Sequence, residues 1–285
     1  MGIIAKTLLY YGIGSLLGGL LIGAGFATNL GGRMSDRELA ALRNVGTYVP
    51  LALDGIDGAL IATPSERRPT IVYVHGRSAN RMEQFPLAKA LFHEGYNAVL
   101  WDSRSRQITY GPREIDQIRR IVASLRDDPH VSPDRIYLIG NSLGAAMTIG
   151  AAAADTDKHM RGIVADSSYA NLTSVASRYV SAFGIIPVPI VWPAKTVTFA
   201  TAQALHDIDF KTRNPADWAE RVTCPVLLIH GKSDRRIPPE HSEMILSRLG
   251  SEKELWLVDK AGHTKSFKRS PAEYTRRVLA FLNRL

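Results

Sequence analysis

Short apolar runs alternate with amphipathic segments along the chain from residue 47 onward. The runs are rich in β-branched and aromatic residues, as strands are, and cover residues 47–53, 59–63, 70–74, 98–101, 135–139, 162–165, 226–229 and 254–258. The segments between them repeat apolar residues at helical spacing and cover residues 82–94, 112–125, 142–154, 237–249 and 272–285. Buried strands alternating with helices predict a mostly parallel sheet with helices on both faces, in the α/β class.

One interval breaks this rhythm, between residues 171 and 221. Its stretch 183–193 is apolar and punctuated by three prolines, which is too irregular for a strand of the sheet. We therefore expect a small cap inserted between two strands. The domain that carries the sheet and the cap is predicted to span 47–285, and residues 31–46 are expected to form a short polar helix and linker.

The amino-terminal segment carries no charged side chain from residue 7 to residue 30. About 20 apolar residues in a helix span the bilayer core, so residues 1–30 are predicted to be a single-pass membrane anchor, with membrane lipid as its partner. Gly14 with Gly18, and Gly19 with Gly23, have the spacing that lets two membrane helices approach closely. The competing interpretation is a signal peptide cleaved near Ala27, which would leave a secreted protein.

Composition narrows the classes of partner. The formal net charge is +8, from 35 basic and 27 acidic residues, which suits an anionic lipid or an acidic substrate. No nucleic-acid-binding motif accompanies this charge, so nucleic acid is not expected as a partner. The single cysteine, Cys224, permits no intramolecular disulfide and no cysteine-based zinc site. We expect no metal or organic cofactor.

The sequence Gly140-Asn141-Ser142-Leu143-Gly144 matches the pattern Gly-x-Ser-x-Gly. It lies between a predicted strand and a predicted helix, which is the context in which a serine projects from a sharp turn as a nucleophile. The amino terminus of the following helix would direct N–H groups toward developing negative charge. Ser142 is therefore the candidate nucleophile.

The chain resembles the alpha/beta-hydrolase superfamily over residues 47–285. The resemblance rests on four motifs in family order: the strand that ends at His75-Gly76, the turn at Ser142, the stretch from His230 to Asp234, and Ala261-Gly262-His263. Among relatives, it looks most like small membrane-anchored acyl esterases, thioesterases and lysophospholipases.

The resemblance implies a catalytic triad in the family's order of serine, acid and histidine. His263 follows the last predicted strand by a short loop and is the expected base, while His75 and His230 fit structural roles. The remaining histidines fit solvent-facing positions: His93, His130, His159, His206 and His241. The resemblance places the acid at Asp234, and Asp166, which follows the strand after Ser142, is the alternative.

The same resemblance implies an oxyanion hole made by the backbone N–H groups of Arg77 and Leu143. The sequence departs from the family pattern in the loop from Asp102 to Gln107, which lacks the usual glycines. The loops at this edge of the sheet are expected to form a basic rim, consisting of Arg77, Arg81, Arg104, Arg106, Lys232, Arg235, Arg236, Lys265, Lys268 and Arg269.

The expected reaction is cleavage of an acyl ester or thioester at a membrane surface, through an acyl-serine intermediate. A peptidase or acyl-peptide hydrolase on the same fold is the first alternative. A membrane-bound binding module without catalysis is the second, and it would have been favoured by the loss of a triad residue.

Overall fold

The structure is a computed structural model that describes residues 15, 17–22, 34–64, 66–105, 107–181 and 188–285, with residues 188–191 described by their backbone alone. Its sheet has eight strands in the order β1-β2-β4-β3-β5-β6-β7-β8. The strands are β1 Thr47–Pro50, β2 Ile56–Ala62, β3 Arg68–Val74, β4 Asn97–Ser103, β5 Val131–Asn141, β6 Met160–Asp166, β7 Val226–Gly231 and β8 Lys253–Val258. The predicted mostly parallel sheet is confirmed.

Strand direction decides where functional side chains can meet. β2 pairs antiparallel with β1 and with β4, and every pairing from β4 to β8 is parallel. The carboxyl ends of β3, β5, β6, β7 and β8 therefore lie along one edge. In open α/β sheets, ligand sites form at that edge, in the loops that leave the strands.

Helices connect the strands and cover both faces of the sheet. In chain order they are α1 Asp36–Arg43, α2 Phe85–His93, α3 Pro112–Leu125, α4 Leu143–Ala153, α5 Leu172–Val180, α6 Val188–His206, α7 Pro215–Ala219, α8 Glu240–Arg248, α9 Ser266–Arg269 and α10 Pro271–Asn283, with a 3₁₀ turn at Arg81–Gln84 before α2.

The apolar side chains form two clusters, one on each face of the sheet. One cluster contains Ile118 of α3 and Ile149 of α4. The other contains Leu91 of α2, Phe281 of α10 and Leu42 of α1. Leu42 is buried, so α1, the polar helix predicted within residues 31–46, packs against the sheet. A capping box between Ser35 and Glu38 stabilises the start of this helix.

The segment between β6 and β7, where the sequence predicts a small cap, contains three helices in its described part. These are α5, α6 and α7. Pro193 lies inside α6, and Phe199 of the same helix stacks on Phe210 with ring centroids 4.4 Å apart. Phe210 belongs to the cluster on the α3 and α4 face, so this segment packs on the domain.

The described amino-terminal residues are helical and lie against α6. Thr198 Oγ1 donates a hydrogen bond to the Gly19 carbonyl at 3.2 Å. A side chain at position 19 would lie 2.7 Å from the Ala194 carbonyl oxygen, so glycine is required for this approach. Most of the predicted membrane-spanning segment falls outside the described residues. Among those that are described, no helix has the length and apolar character to cross a bilayer.

Two glycines let α4 begin directly under the sheet. A Cβ on Gly144 would overlap the carbonyl of Val74 in β3, and a Cβ on Gly140 would overlap the carbonyl of Gly144. The backbones of β3, β5 and α4 therefore meet in a contact that leaves no room for a methyl group. Inserting atoms into a packed interior typically costs about 1–3 kcal/mol.

Gly144→Ala should therefore lower the free energy of unfolding by about 2 kcal/mol or more, or prevent accumulation of folded protein. Urea unfolding followed by circular dichroism measures this change. Gly250→Ala is the matched control, because a Cβ at position 250 meets no atom within 4 Å. Equal unfolding midpoints for the two variants would contradict the assigned contact.

Candidate active site

Ser142 lies between β5 and α4 in a strained turn. Its φ is 54° and its ψ is −117°, a backbone conformation that residues other than glycine rarely adopt. Its N–H donates to the Asp166 carbonyl oxygen at 2.8 Å, which fixes the turn to the end of β6. The predicted strand–turn–helix context is present, and the hydroxyl projects from the carboxyl edge of the sheet.

His263 bridges Ser142 and Asp234. Its Nε2 lies 2.8 Å from Ser142 Oγ, and its Nδ1 lies 2.7 Å from Asp234 Oδ2. A carboxylate accepts only, so Nδ1 carries the proton and Nε2 is the acceptor for the serine hydroxyl. The structure thus brings together three residues that are far apart in the sequence, in the arrangement that activates a serine.

Glycine also determines how the His263 loop approaches β7. A Cβ on Gly231, the last residue of β7, would overlap the Ala261 carbonyl. That carbonyl accepts a 2.8 Å hydrogen bond from the Ser233 N–H. The loop that carries Asp234 and the loop that carries His263 are therefore joined backbone to backbone.

Asp234 is buried and strongly hydrogen-bonded. Burial by itself would raise the pKa of its carboxyl, but hydrogen bonds from His230 and His263 outweigh burial and hold that pKa well below its ordinary value. The backbone N–H groups of Arg236 and Ile237 donate to its Oδ1 at 2.9 and 3.0 Å. The carboxylate therefore stays charged and correctly oriented across the neutral pH range.

Asp166, the alternative acid in the sequence analysis, lies beneath the site rather than beside His263. Its Oδ1 accepts hydrogen bonds from Ser167 Oγ at 2.9 Å and Ser266 Oγ at 3.2 Å. Ser167 Oγ in turn accepts from the N–H of Thr264, the residue after His263. Burial raises the pKa of Asp166 to about 6, and the side chain buttresses the His263 loop from within the core.

The two residues predicted to supply backbone oxyanion donors, Leu143 and Arg77, lie close to Ser142, the first along the chain and the second in space. Leu143 is the first residue of α4, where N–H groups have no partner inside the helix. Arg77 follows Gly76, and a Cβ at position 76 would lie 3.4 Å from Ser142 Cβ. The loop after β3 therefore passes directly beside the serine.

A buried polar network that the sequence analysis did not anticipate holds this loop. The Gly76 N–H donates to Glu83 Oε2 at 2.9 Å. Asp102 accepts from Arg81 Nε at 2.6 Å and lies 3.2 Å from His75 Nε2. His75 Nδ1 faces the Gly76 carbonyl at 2.9 Å, so both ring nitrogens face acceptors. Only the protonated imidazole can donate to both, and Asp102 raises the pKa of His75 against the opposing effect of burial.

The predicted basic rim needs one correction. Arg81 is buried and its guanidinium pairs with Asp102 and Asp57, because carboxylates brought near by β2 and β4 compensate its charge. Arg77 is half-buried, and Arg106 lies outside the described residues. The exposed members are Arg104, Lys232, Arg235, Arg236, Lys265, Lys268 and Arg269.

His241 differs from its expected solvent-facing position. It is buried, and its Nδ1 accepts the Ala170 N–H at 3.2 Å. Burial lowers the pKa of its ring to about 4. Its neighbour in the core, His230, lies between Ser242 Oγ and the Ile237 carbonyl, in the structural role that the sequence suggested.

A small cavity of about 50 Å³ lies beside Leu143, the residue that follows Ser142. Its wall includes both predicted oxyanion residues, Arg77 and Leu143, and the apolar side chains of Val74, Ile108 and Met147. Residues of the loop that departs from the family pattern, among them Ser103 and Ser105, complete it.

The sequence is similar to a family profile and to several proteins over most of its length. The profile of the prolyl oligopeptidase family matches residues 103–285, more than half of the chain. The protein YfhR of Escherichia coli (strain K12) is 25% identical over 226 residues, which cover 78% of this chain and 69% of the relative. Esterase EstD of Thermotoga maritima is 24% identical over 265 residues, or 80% of this chain and 63% of the relative.

Solved structures share the fold. The Pyrococcus furiosus esterase Pf2001 superposes with a TM-score of 0.72 at 23% identity, covering 90% of this chain and 98% of that chain. The Pyrococcus horikoshii acylaminoacyl peptidase superposes with a TM-score of 0.58 at 22% identity, covering 87% of this chain and 43% of that chain. The predicted alpha/beta-hydrolase fold is confirmed.

The buried Asp166 carboxyl predicts a pH-dependent stability. The pKa of its carboxyl is higher in the folded chain than in the unfolded one, so stability is lost as pH rises through about 6 and becomes constant at about pH 7. Relative to Asp166→Asn, the native free energy of unfolding should fall by about 1 kcal/mol between about pH 5 and pH 7. Urea unfolding at both pH values measures it, and a difference independent of pH would contradict the assignment.

Proposed function

We propose that this chain cleaves acyl ester or thioester bonds through an acyl-Ser142 intermediate. The chain belongs to the prolyl oligopeptidase family, and it is a serine hydrolase of the alpha/beta-hydrolase fold. The observation that carries the proposal is the continuous hydrogen-bonded line from Ser142 through His263 to Asp234, with distances of 2.8 and 2.7 Å. Because this chain is an enzyme, a non-catalytic binding module is no longer a candidate function.

The reaction follows from the roles that this geometry permits. Ser142 Oγ attacks the acyl carbonyl carbon while His263 Nε2 takes the hydroxyl proton, and Asp234 stabilises the imidazolium that results. The N–H groups of Leu143 and Arg77 donate to the tetrahedral oxyanion. His263 then returns the proton to the departing alcohol or thiol. Water, deprotonated by His263, then attacks the acyl carbon, and His263 returns that proton to Ser142 Oγ as the Ser142–acyl bond breaks and the acid leaves.

Similarity to esterases favours esters. The esterase Pf2001 superposes with a TM-score of 0.72 and the acylaminoacyl peptidase with a TM-score of 0.58. A peptidase or acyl-peptide hydrolase remains the second candidate, because the matching family profile is that of prolyl oligopeptidase. The two candidates share the proposed triad and differ in the leaving group.

Kinetics on a chromogenic ester test the proposal. With p-nitrophenyl butyrate, Ser142→Ala should lose about 10⁴-fold or more in kcat/KM, and Asp234→Asn about 10³- to 10⁴-fold, because the imidazole loses its orienting carboxylate. Asp166→Asn is the matched control and should lose less than about 10-fold, since its carboxyl does not contact His263. An N-acetyl-aminoacyl p-nitroanilide, assayed in parallel, reports on amide cleavage.

Two results would count against this assignment. If Asp166→Asn lost as much kcat/KM as Asp234→Asn, the triad acid would be Asp166 at the end of β6. Faster cleavage of the anilide than of the ester would favour the peptidase.

We further propose that the amino-terminal segment anchors the enzyme to a membrane. Support comes from the uncharged run 7–30 and from exposed apolar side chains in its described part, at Leu17, Leu20, Leu21 and Ile22. Trp192 and Leu205 of α6, the helix on which this part packs, are also exposed. Apolar side chains exposed on connected elements are typical of surfaces that contact lipid or protein.

Cell fractionation checks the anchor. The full chain should stay in the membrane pellet after alkaline carbonate extraction, because a bilayer-spanning apolar segment is released by detergent but not by loss of charge contacts. A variant that starts at residue 34 should move to the supernatant and keep kcat/KM on a soluble ester within about 3-fold. Recovery of the full chain in the supernatant, or an amino terminus cleaved near Ala27, would overturn the proposal.

A further inference from the structure

The cavity beside the predicted oxyanion hole contains two buried polar atoms without a hydrogen-bond partner among the described residues. These are Trp101 Nε1 and Gln117 Oε1. Both side chains line the cavity and are only 4% exposed. A buried donor or acceptor left without a partner costs about 1–3 kcal/mol, so such a pair in the wall of a site indicates a ligand that satisfies it.

The rest of the Gln117 amide is fully used, which fixes its orientation. Its Nε2 donates to the Gly55 carbonyl and to Ser103 Oγ, each at 3.1 Å. The oxygen is consequently the atom that remains for a ligand. Trp101 offers only a donor, since indole nitrogen carries one hydrogen and accepts none. The cavity therefore presents one acceptor and one donor that lack partners among the described residues. Its wall also holds apolar side chains and the polar residues Ser103, Ser105, Gln107 and Glu114.

We propose that this cavity is the acyl subsite and that it takes a short acyl chain bearing a hydroxyl group. The proposal rests on the ester hydrolysis proposed above. A hydroxyl can donate to Gln117 Oε1 and accept from Trp101 Nε1 with a single oxygen atom. A cavity of about 50 Å³ holds roughly four atoms the size of a water molecule, which fits an acyl chain of about that length.

The position of the cavity is consistent with binding the acyl side of the scissile bond. Leu143 and Arg77 line it and also supply the proposed oxyanion N–H groups, so a carbonyl held by them directs its acyl substituent into this space. Met147, one helical turn beyond Leu143, and Ile108 contribute apolar surface for the methylene groups. Neither Ser142 nor His263, which protonates the leaving group, belongs to the cavity wall.

A comparison of two esters tests the subsite. The native enzyme should show kcat/KM about 10- to 100-fold higher for p-nitrophenyl 3-hydroxybutyrate, in one of its enantiomers, than for p-nitrophenyl butyrate, as two added hydrogen bonds would give. Trp101→Phe and Gln117→Met should each reduce this ratio about 5-fold or more. The ratio is taken within one enzyme, so general losses in activity cancel.

Tyr137→Phe is the matched control. It also removes a buried hydroxyl that has no partner among the described residues, but it lies on the opposite face of the sheet and outside the cavity wall. Its ratio should equal the native one. A native ratio within about 3-fold of unity, or one unchanged in Trp101→Phe and Gln117→Met, would overturn the proposed subsite.

These outcomes are separable from failure of the proposed function. Turnover of the butyrate ester that disappears in Ser142→Ala establishes ester hydrolysis whatever the hydroxyl preference. If neither ester is hydrolysed by folded native enzyme, the proposed function fails, and the subsite fails with it.

Discussion

The turn at Ser142 imposes the constraint on which the rest of the site depends. A φ of 54° at a serine is unfavourable, and it persists because β3, β5 and α4 pack so closely that Gly140 and Gly144 admit no side chain. The same packing brings the start of α4 beside the loop after β3. One steric contact therefore sets the direction of the serine hydroxyl and the position of the N–H groups proposed for the oxyanion.

Two buried carboxyl groups at this edge have opposite environments, and the difference separates their roles. Asp234 receives backbone and imidazole hydrogen bonds, which keep its pKa low despite burial. Asp166 is surrounded by hydroxyl groups in the core, and burial raises its pKa to about 6. A carboxylate that must hold an imidazolium has to remain charged. The environment of Asp234 meets this requirement, whereas Asp166 is suited to a supporting position behind the His263 loop.

Much of the fold could be predicted from the sequence because buried parallel strands are short, apolar and rich in β-branched residues. All eight strand runs correspond to strands of the sheet. The helix α6 was not foreseen, since its Pro193 is a residue that normally interrupts helices. Arg81 was placed on the rim because its partners, Asp57 and Asp102, come from distant strands. The cavity around Trp101 and Gln117 depends on tertiary packing and leaves no local pattern.

The most direct test of the central claim is to identify the atom that becomes acylated. The native enzyme, treated with a fluorophosphonate and digested, should carry one phosphonyl adduct on the peptide that contains Ser142, at the residue held 2.8 Å from His263 Nε2. The same treatment of Ser142→Ala should leave the protein unlabelled. A folded native protein that does not react, or an adduct on a different residue, would contradict the account of this site.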